Sequence, residues 1–481
     1  TGGAWEGVLR AIAGGDRRDG PLPLQGGGGE GVLRAFGLRR MRFGEAGGSK
    51  PASSGNREKK MKVIVLGSGI IGTTSAYYLA KAGHEVHVVE RRDGAAMETS
   101  FANGSVLHTS EAEPWSQPGM PRKVLSWIGK ENAPMLLRLS ALPSMWRWGL
   151  SFMRNCSVER YREAAATNLR LALHTLKAIK DVRAETGIAY DLSQVGTLKI
   201  YTSRESMDKN VAESALLRPH GMVFEAVDAK RCVAIEPALA PIASTLVGGI
   251  YAPPDEHGDC HKFATGLARA AAEKLGVTFH FNTAVTRIER SGDRVTGVET
   301  SAGRMTGDAY VAAMASFTPA LLKPLGVPLA IYPAKGVTVT VPDTAWKDGP
   351  KVPIIDDTRL FGLIRIGDRY RASGSVEFTG WDATPNPARA KAIVDNVIGV
   401  FPEFAKCYDP KVARVWSGLR PMPASGSPYL GATPVKNLYL NCGHGHLGWT
   451  LSCGSSQLVA DIVSGRSPAI DMTGLTLATH H

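Results

Sequence analysis

The run Lys62-Val-Ile-Val-Leu66 passes directly into Gly67-Ser-Gly69-Ile-Ile-Gly72 and then into a helical stretch, Thr73 to Ala82, that stops at Gly83. A strand, a glycine turn and a helix in that order leave few folds open. Gly67 permits the tight turn, Gly69 lets a pyrophosphate approach the backbone, and Gly72 lets the helix pack on its strand, with the helix N-terminus facing the phosphates. Val63, Val65, Ser68, Ile70 and Ile71 are expected to lie along the same nucleotide site. A second strand-like run, Glu85-Val-His-Val-Val-Glu90, ends in an acid 23 residues after Gly67. A carboxylate there accepts hydrogen bonds from a ribose hydroxyl, with Arg91 beside it. An acid at this point argues against a 2′-phosphate and leaves FAD or NAD. The alternative is a helix-packing glycine turn with Glu90 as a solvated strand end.

A simple NAD dehydrogenase would continue to six parallel strands, and this chain departs from that pattern soon after Glu90, so FAD is preferred. Asp259 to Leu275 reads as a helix and Val277 to Phe281 as a strand. Ala284 to Glu289 and Arg294 to Glu299 read as a hairpin around Ser291-Gly-Asp293, and Asp308 to Met314 as another buried strand. The expected fold class is α/β: a Rossmann-like FAD domain assembled from discontinuous segments, plus a substrate domain with a mixed or antiparallel sheet. The segments 61–190, 255–325 and 412–475 are assigned to the first and 191–254 and 326–411 to the second.

Residues 1–60 stand apart, with 16 Gly and 11 basic against 6 acidic residues, a composition that cannot repay the entropy of ordering. The stretch is expected to be disordered and to be an upstream extension of a protein whose natural start is Met61. A basic arm for nucleic acid is the alternative reading of its charge. Without it, 45 basic and 38 acidic residues leave +7, a mild excess that selects neither anionic substrates nor an anionic bilayer, and no nucleic-acid partner is expected. Cys156, Cys232, Cys260, Cys407, Cys442 and Cys453 are scattered without a Cys-x-x-Cys pair, so no metal site or disulfide framework is expected. No run of about 18 apolar residues occurs, which excludes a conventional spanning helix. A cytoplasmic location, peripheral on the inner face of the membrane if it touches one, is expected.

Four motifs then carry a resemblance: the glycine turn with Glu90; Glu98-Thr-Ser-Phe-Ala-Asn-Gly104; Tyr332-Pro-Ala-Lys-Gly336; and Trp416-Ser-Gly-Leu-Arg-Pro-Met422 with Asn441-Cys-Gly-His-Gly-His-Leu-Gly-Trp-Thr450. From Met61 to about Asp471 the chain resembles the D-amino-acid dehydrogenases of the small-subunit type, flavoproteins of the group that includes glycine oxidase, sarcosine oxidase and D-amino-acid oxidase. The resemblance implies that Gly443, His444, Gly445, His446, Leu447, Gly448 and Thr450 lie beside the flavin ring. Read from the sequence, that turn leads into an apolar helix, Trp449 to Val463, whose amides would stabilise negative charge. The resemblance also places Thr99, Ser100, Asn103 and Gly104 along the ribityl and pyrophosphate, and Val285 at the adenine end. Where the family usually has glycine this chain has Ala315, whose methyl could crowd the flavin.

Arg420 is the expected substrate anchor, since a guanidinium grips an α-amino acid's carboxylate through two parallel hydrogen bonds; a structural salt bridge is the alternative. His444 and Lys335 are further catalytic candidates, against a turn histidine and a solvated strand-end lysine. Pro143 to Arg154 mixes Trp146, Trp148, Phe152 and Met153 with two arginines, as buried or membrane-interfacial helices do. The chemistry expected is hydride transfer from the Cα of a D-amino acid to FAD. A 2-oxo acid and ammonia are the products, and the electrons pass to a quinone or carrier protein. Alternatives are a D-proline or D-hydroxyproline dehydrogenase, an oxidase of glycine, sarcosine or D-amino acids that makes peroxide, and an electron-transfer component of a larger complex with additional subunits.

Overall fold

The computed structural model describes residues 60–128, 130 and 135–480, so the expectations for the glycine-rich amino-terminal stretch lie outside the described residues. Lys62–Leu66 sits at the centre of a six-stranded sheet. Glu85–Val89 and Thr278–His280 lie on one side of it, and Ala309–Ala312, Leu438–Cys442 and Tyr429–Ala432 on the other. All neighbours are parallel except the last pair. Parallel strands are covered on both faces, which is why Lys62–Leu66 is apolar without alternation. Val63 and Val65 enter the core beneath the helices, while Ile64 and Leu66 enter a second core on the opposite face. This corrects the expected nucleotide contact of Val63 and Val65, whose side chains are spent on packing.

The helix after the glycine turn runs Ile70–Lys81, three residues earlier than the apolar pattern suggests. Ser100, on a distant loop, accepts a hydrogen bond from the Ile70 amide with its Oγ at 3.0 Å and so satisfies one of the donors a helix start leaves open. Behind the turn, Ser452–Val463 packs on this helix through a buried polar seam in which Thr74 Oγ1 meets Ser456 Oγ at 2.7 Å and Asn441 donates to Ser75 Oγ at 2.9 Å. The helix Cys260–Leu275 covers the same face, with Asp259 accepting from the Lys262 amide at its start. The hairpin Val285–Ser291 with Arg294–Thr300 forms, joined by Gly303–Met305 into a small antiparallel sheet.

The second large element is a nine-stranded, mostly antiparallel sheet built around Ile331–Pro342, Arg369–Phe378 and Phe361–Ile366, reaching to Thr197–Tyr201 and Gly248–Ala252. Arg414–Pro423, grouped from the sequence with the nucleotide segments, is instead its edge strand, paired along its whole length with Ile331–Pro342. Leu142–Arg154 turns Met145, Trp148 and Phe152 onto one end of this sheet against Tyr332, Phe378 and Met422. Val158–Thr186 is a long helix begun by Ser157, whose side chain accepts from the Arg160 amide, and ended by Gly187 at φ 68°. No described helix is long and apolar enough to cross a membrane.

Candidate active site

The carboxyl ends of three adjacent parallel strands deliver Gly69, Ala313 and Asn441 to one cavity of about 420 Å³, and one face of the large sheet closes it with Gly336, Ser375 and Arg420. Ligands in open α/β sheets bind outside the carboxyl ends of their strands, so the position follows from the topology.

At the nucleotide end the three glycines have different tasks. Gly67 sits at φ +97°, and a Cβ on Gly72 would lie 1.9 Å from the Gly67 carbonyl oxygen, whereas a Cβ on Gly69 would meet only Ser100 Oγ, at 3.6 Å. Gly67 and Gly72 therefore build the turn, and Gly69 keeps its outer side open. Glu90, at the end of the second strand, is buried and accepts from the Ser68 amide at 2.8 Å, from Ser68 Oγ at 2.9 Å and from the Arg92 amide at 2.9 Å. Each carboxylate oxygen carries two lone pairs, so one acceptor position remains for a ribose hydroxyl. Arg91 is turned away from the cavity into an ion pair with Glu98 at 2.7 Å, over the Phe317 ring. Val285 lies in the small antiparallel sheet, outside the cavity lining.

The loop expected along the cofactor does line the cavity with Thr99, Ser100, Asn103 and Gly104. It is pinned from the large sheet: Thr338 donates to the Ala102 carbonyl at 3.1 Å, Arg371 to Ser105 Oγ at 2.8 Å, and Thr99 to the Leu419 carbonyl at 3.0 Å. Ala315 also lines the cavity, and at φ +49° it occupies a conformation that favours glycine. The alanine therefore strains the backbone as well as adding a methyl.

Arg420 enters from the edge strand and lies flat on Gly336, where a Cβ would be 2.1 Å from its Nη1. Its Nη1 donates to the Ser375 carbonyl at 3.4 Å, and among the described residues no carboxylate pairs with it. Burial alone pushes its guanidinium down to about 10, so it remains a cation at neutral pH. The salt-bridge alternative finds no acid here.

Lys335, one residue before Gly336, points to the other side of the strand. Its Nζ is 3.7 Å from Glu377, 3.3 Å from Asp382 and 3.0 Å from the Thr384 carbonyl, and it is absent from the cavity. This corrects its expected place beside flavin or substrate. Strand alternation sends residues 335 and 336 to opposite faces, and the glycine is the one that faces the cavity.

In the carboxyl-terminal turn, Gly445–Leu447 is a short 3₁₀ turn and the following helix begins only at Ser452. The turn amides thus precede the helix N-terminus instead of crowning it. His444, Gly445, His446, Gly448 and Thr450 line the cavity. Gly443 and Leu447 do not: Gly443 packs against Ile331 and Tyr429, and Leu447 is core. His444 is tied through Nε2 to Ser455 Oγ at 3.1 Å. Burial holds both histidines neutral, pushing each down to about 3. His446 stacks on Trp115, ring centroids 5.3 Å apart, and the Arg420 guanidinium lies 5.9 Å from the centroid of the same indole.

Trp115 and His108 line the cavity although nothing in the sequence marked them; they belong to an irregular segment after Val106–Leu107 with no period or motif. Four cavity-lining residues have buried polar atoms without partners: His108 Nδ1, Ser375 Oγ, Asn441 Oδ1 and Trp449 Nε1. Unpaired buried polar groups are costly, and their convergence on one cavity marks a place where a polar ligand completes them. No group of three metal-ligating side chains is found among the described residues.

The family model described as FAD dependent oxidoreductase matches residues 62–462. The chain belongs to this family. FAD is its cofactor. The D-amino acid dehydrogenase of Paramagnetospirillum magneticum is 47% identical over 416 residues, covering 86% of this chain and 98% of that protein. The glycine oxidase structure from Geobacillus kaustophilus superposes with a TM-score of 0.66 at 22% identity, covering 87% of this chain and 98% of the other. The L-proline dehydrogenase structure from P. horikoshii gives 0.68 at 17%, covering 87% and 97%. At these identities the two structures speak for the fold alone. The residues of the FAD-dependent oxidoreductase site fit the cofactor: an open glycine turn, an acid at the second strand end, and unpaired polar atoms on Asn441 and Trp449 beside it.

Proposed function

We propose that the chain oxidises D-amino acids to 2-oxo acids and ammonia. The observation that carries the reading is Arg420, a half-buried guanidinium on the cavity wall that pairs with no carboxylate among the described residues, the match for a planar carboxylate held by two parallel hydrogen bonds. The guanidinium lies against Gly336 and 5.9 Å from the Trp115 ring centroid, and a carboxylate held by it would fix which Cα hydrogen faces the cofactor. The cofactor itself would be held at the pyrophosphate by the open side of Gly69, in the turn that Gly67 and Ser68 shape, with Glu90 at the ribose, Thr99, Ser100, Asn103 and Gly104 along the chain, and Gly445, His446 and Gly448 beside the ring. When bound, FAD supplies the acceptor for the Cα hydride. Neutral His444 and His446 keep further positive charge away from the substrate amine, and the product imino acid hydrolyses in water.

The nucleotide half is drawn from 61–190, 255–325 and 424–475, the substrate half from 191–254 and 326–423. Electrons pass to a quinone or carrier protein and not to oxygen, and the protein works at the periphery of a membrane, on its inner face. The relatives' name favours a D-amino acid as substrate over glycine or L-proline, which the fold neighbours' names carry. An anaerobic visible spectrum tests the reading: D-alanine or D-proline should bleach the flavin band and L-alanine should not. Bleaching by the L-isomer overturns the stereochemistry, and peroxide formed at the turnover rate in air overturns the acceptor.

A further inference from the structure

Leu142–Arg154 is amphipathic, and its outer face carries exposed apolar side chains among Ser144, Arg147 and Arg154. Met145, Trp148 and Phe152 are buried against the sheet, yet Trp146 is 43% exposed and Leu139, seven residues before it, is 62% exposed. Pro143 lies between them on the same outer stripe, also exposed. Leu139, Pro143 and Trp146 form an apolar line that nothing among the described residues covers.

Its charge says what the cover is. From Trp115 to Cys156 the sequence holds six basic residues, Arg122, Lys123, Lys130, Arg138, Arg147 and Arg154, and one acid, Glu131. Arg147 and Arg154 are exposed at the edge of the stripe, and Arg147 lies 5.2 Å from the Trp146 ring centroid. An exposed indole beside a guanidinium, on a helix face that also carries Arg154 and in a segment of net positive charge, matches the headgroup layer of an anionic bilayer, where the ring sits at the acyl boundary and the cations meet lipid phosphates. We propose that the outer face of Leu139–Arg154 is the surface by which this protein docks on anionic membranes, a proposal that rests on the peripheral-membrane reading above. The inner face of the same helix touches the active-site sheet, with Trp148 Nε1 donating to the Met422 carbonyl at 2.8 Å, two residues from Arg420. Docking therefore brings the substrate cavity close to the bilayer that would hold a lipid-soluble acceptor.

The test is co-sedimentation of the full-length holoenzyme with vesicles of phosphatidylglycerol and phosphatidylcholine, against phosphatidylcholine alone, at low and at molar salt. The anionic vesicles should retain the protein at low salt, and the double variant Leu139→Ser/Trp146→Ser and the separate Arg147→Glu variant should each cut retention about tenfold. Anaerobic bleaching by D-alanine is read on the same samples, and since none of these residues lines the cavity, it should not change. Bleaching without vesicle binding overturns the docking surface alone. Equal retention by neutral vesicles, or retention that neither variant reduces, also overturns it. Binding without bleaching by any D-amino acid instead faults the proposed reaction. Should the wild-type chain sediment only with a membrane-protein fraction, the surface belongs to a protein partner and the lipid proposal fails.

Discussion

The two ends of the cavity differ in how far the protein completes them by itself. At the nucleotide end, Glu90 already holds the Ser68 amide and hydroxyl, Ser100 holds the Ile70 amide, and Thr74, Ser75, Asn441 and Ser456 bond one another behind the turn. At the substrate end, Arg420 has one carbonyl at 3.4 Å and no acid, while His108 and Ser375 keep unpaired polar atoms. The first end is a cradle assembled largely from short hydrogen bonds within the protein, with Asn441 Oδ1 and Trp449 Nε1 left for the cofactor. The second is electrostatically incomplete, and completing it is the substrate's part in binding. Binding energy is available where the protein has left charge and polar groups unpaired.

The sharpest way to break the comparison is to alter neighbouring residues that face opposite ways. Lys335→Met strips the partner from Glu377, which is 1% exposed, and should lower unfolding free energy by about 3–5 kcal/mol in urea titrations. The substrate KM of the protein that remains folded should be unchanged, and an altered KM would return Lys335 to the active site.

Arg420→Ala should cost about 2–5 kcal/mol of transition-state binding, roughly thirty-fold to several thousand-fold in kcat/KM, with the flavin spectrum intact. Gly336→Ala should reproduce much of that loss, because its new methyl would occupy the space of the guanidinium. Stopped-flow bleaching at low D-alanine reads both variants, and wild-type rates in either would remove the anchor from the proposed mechanism.

The pH dependence of stability probes the neutral histidines. His444 and His446, held down to about 3, and His257, to about 4, lie below the ordinary value of 6.5 in the folded chain. Their stabilising contribution is complete above pH 6.5 and is lost as pH falls toward the folded values, at about 1.4 kcal/mol per pH unit for each histidine that stays neutral. Glu113, pushed up to about 7 by burial, acts in the opposite sense between pH 4.5 and 7. Three depressed histidines outnumber it, so denaturation midpoints should rise from pH 4 to 6.5, and His444→Asn should flatten the slope. Midpoints that fall over this range would mean the histidines are charged.

Ala315→Gly carries the smallest effect. Relief of a non-glycine residue at φ +49° is worth about 1 kcal/mol. FAD affinity, measured by fluorescence titration of the apoprotein, should rise severalfold. Weaker binding would show that the methyl supports the cofactor instead of crowding it.

The glycine turn, the acid ending the second strand and the central parallel strand were legible in the sequence because each is local: a turn needs glycine, and a parallel strand needs an unbroken apolar run. Arg420 was legible through a short motif that resembles known enzymes. Tertiary structure decided the rest. Only pairing with Ile331–Pro342 shows that Arg414–Pro423 belongs to the large sheet, and only strand alternation in that register turns Lys335 away and lays Gly336 beneath the guanidinium. His108 and Trp115 carry no pattern, since their place at the cavity comes from an irregular segment folding over a distant strand. Sequence alone determined where the backbone must turn and which faces must be buried, because those requirements act between near neighbours. Which polar groups are left without partners is a property of contacts between residues hundreds of positions apart, and the folded chain alone fixes it.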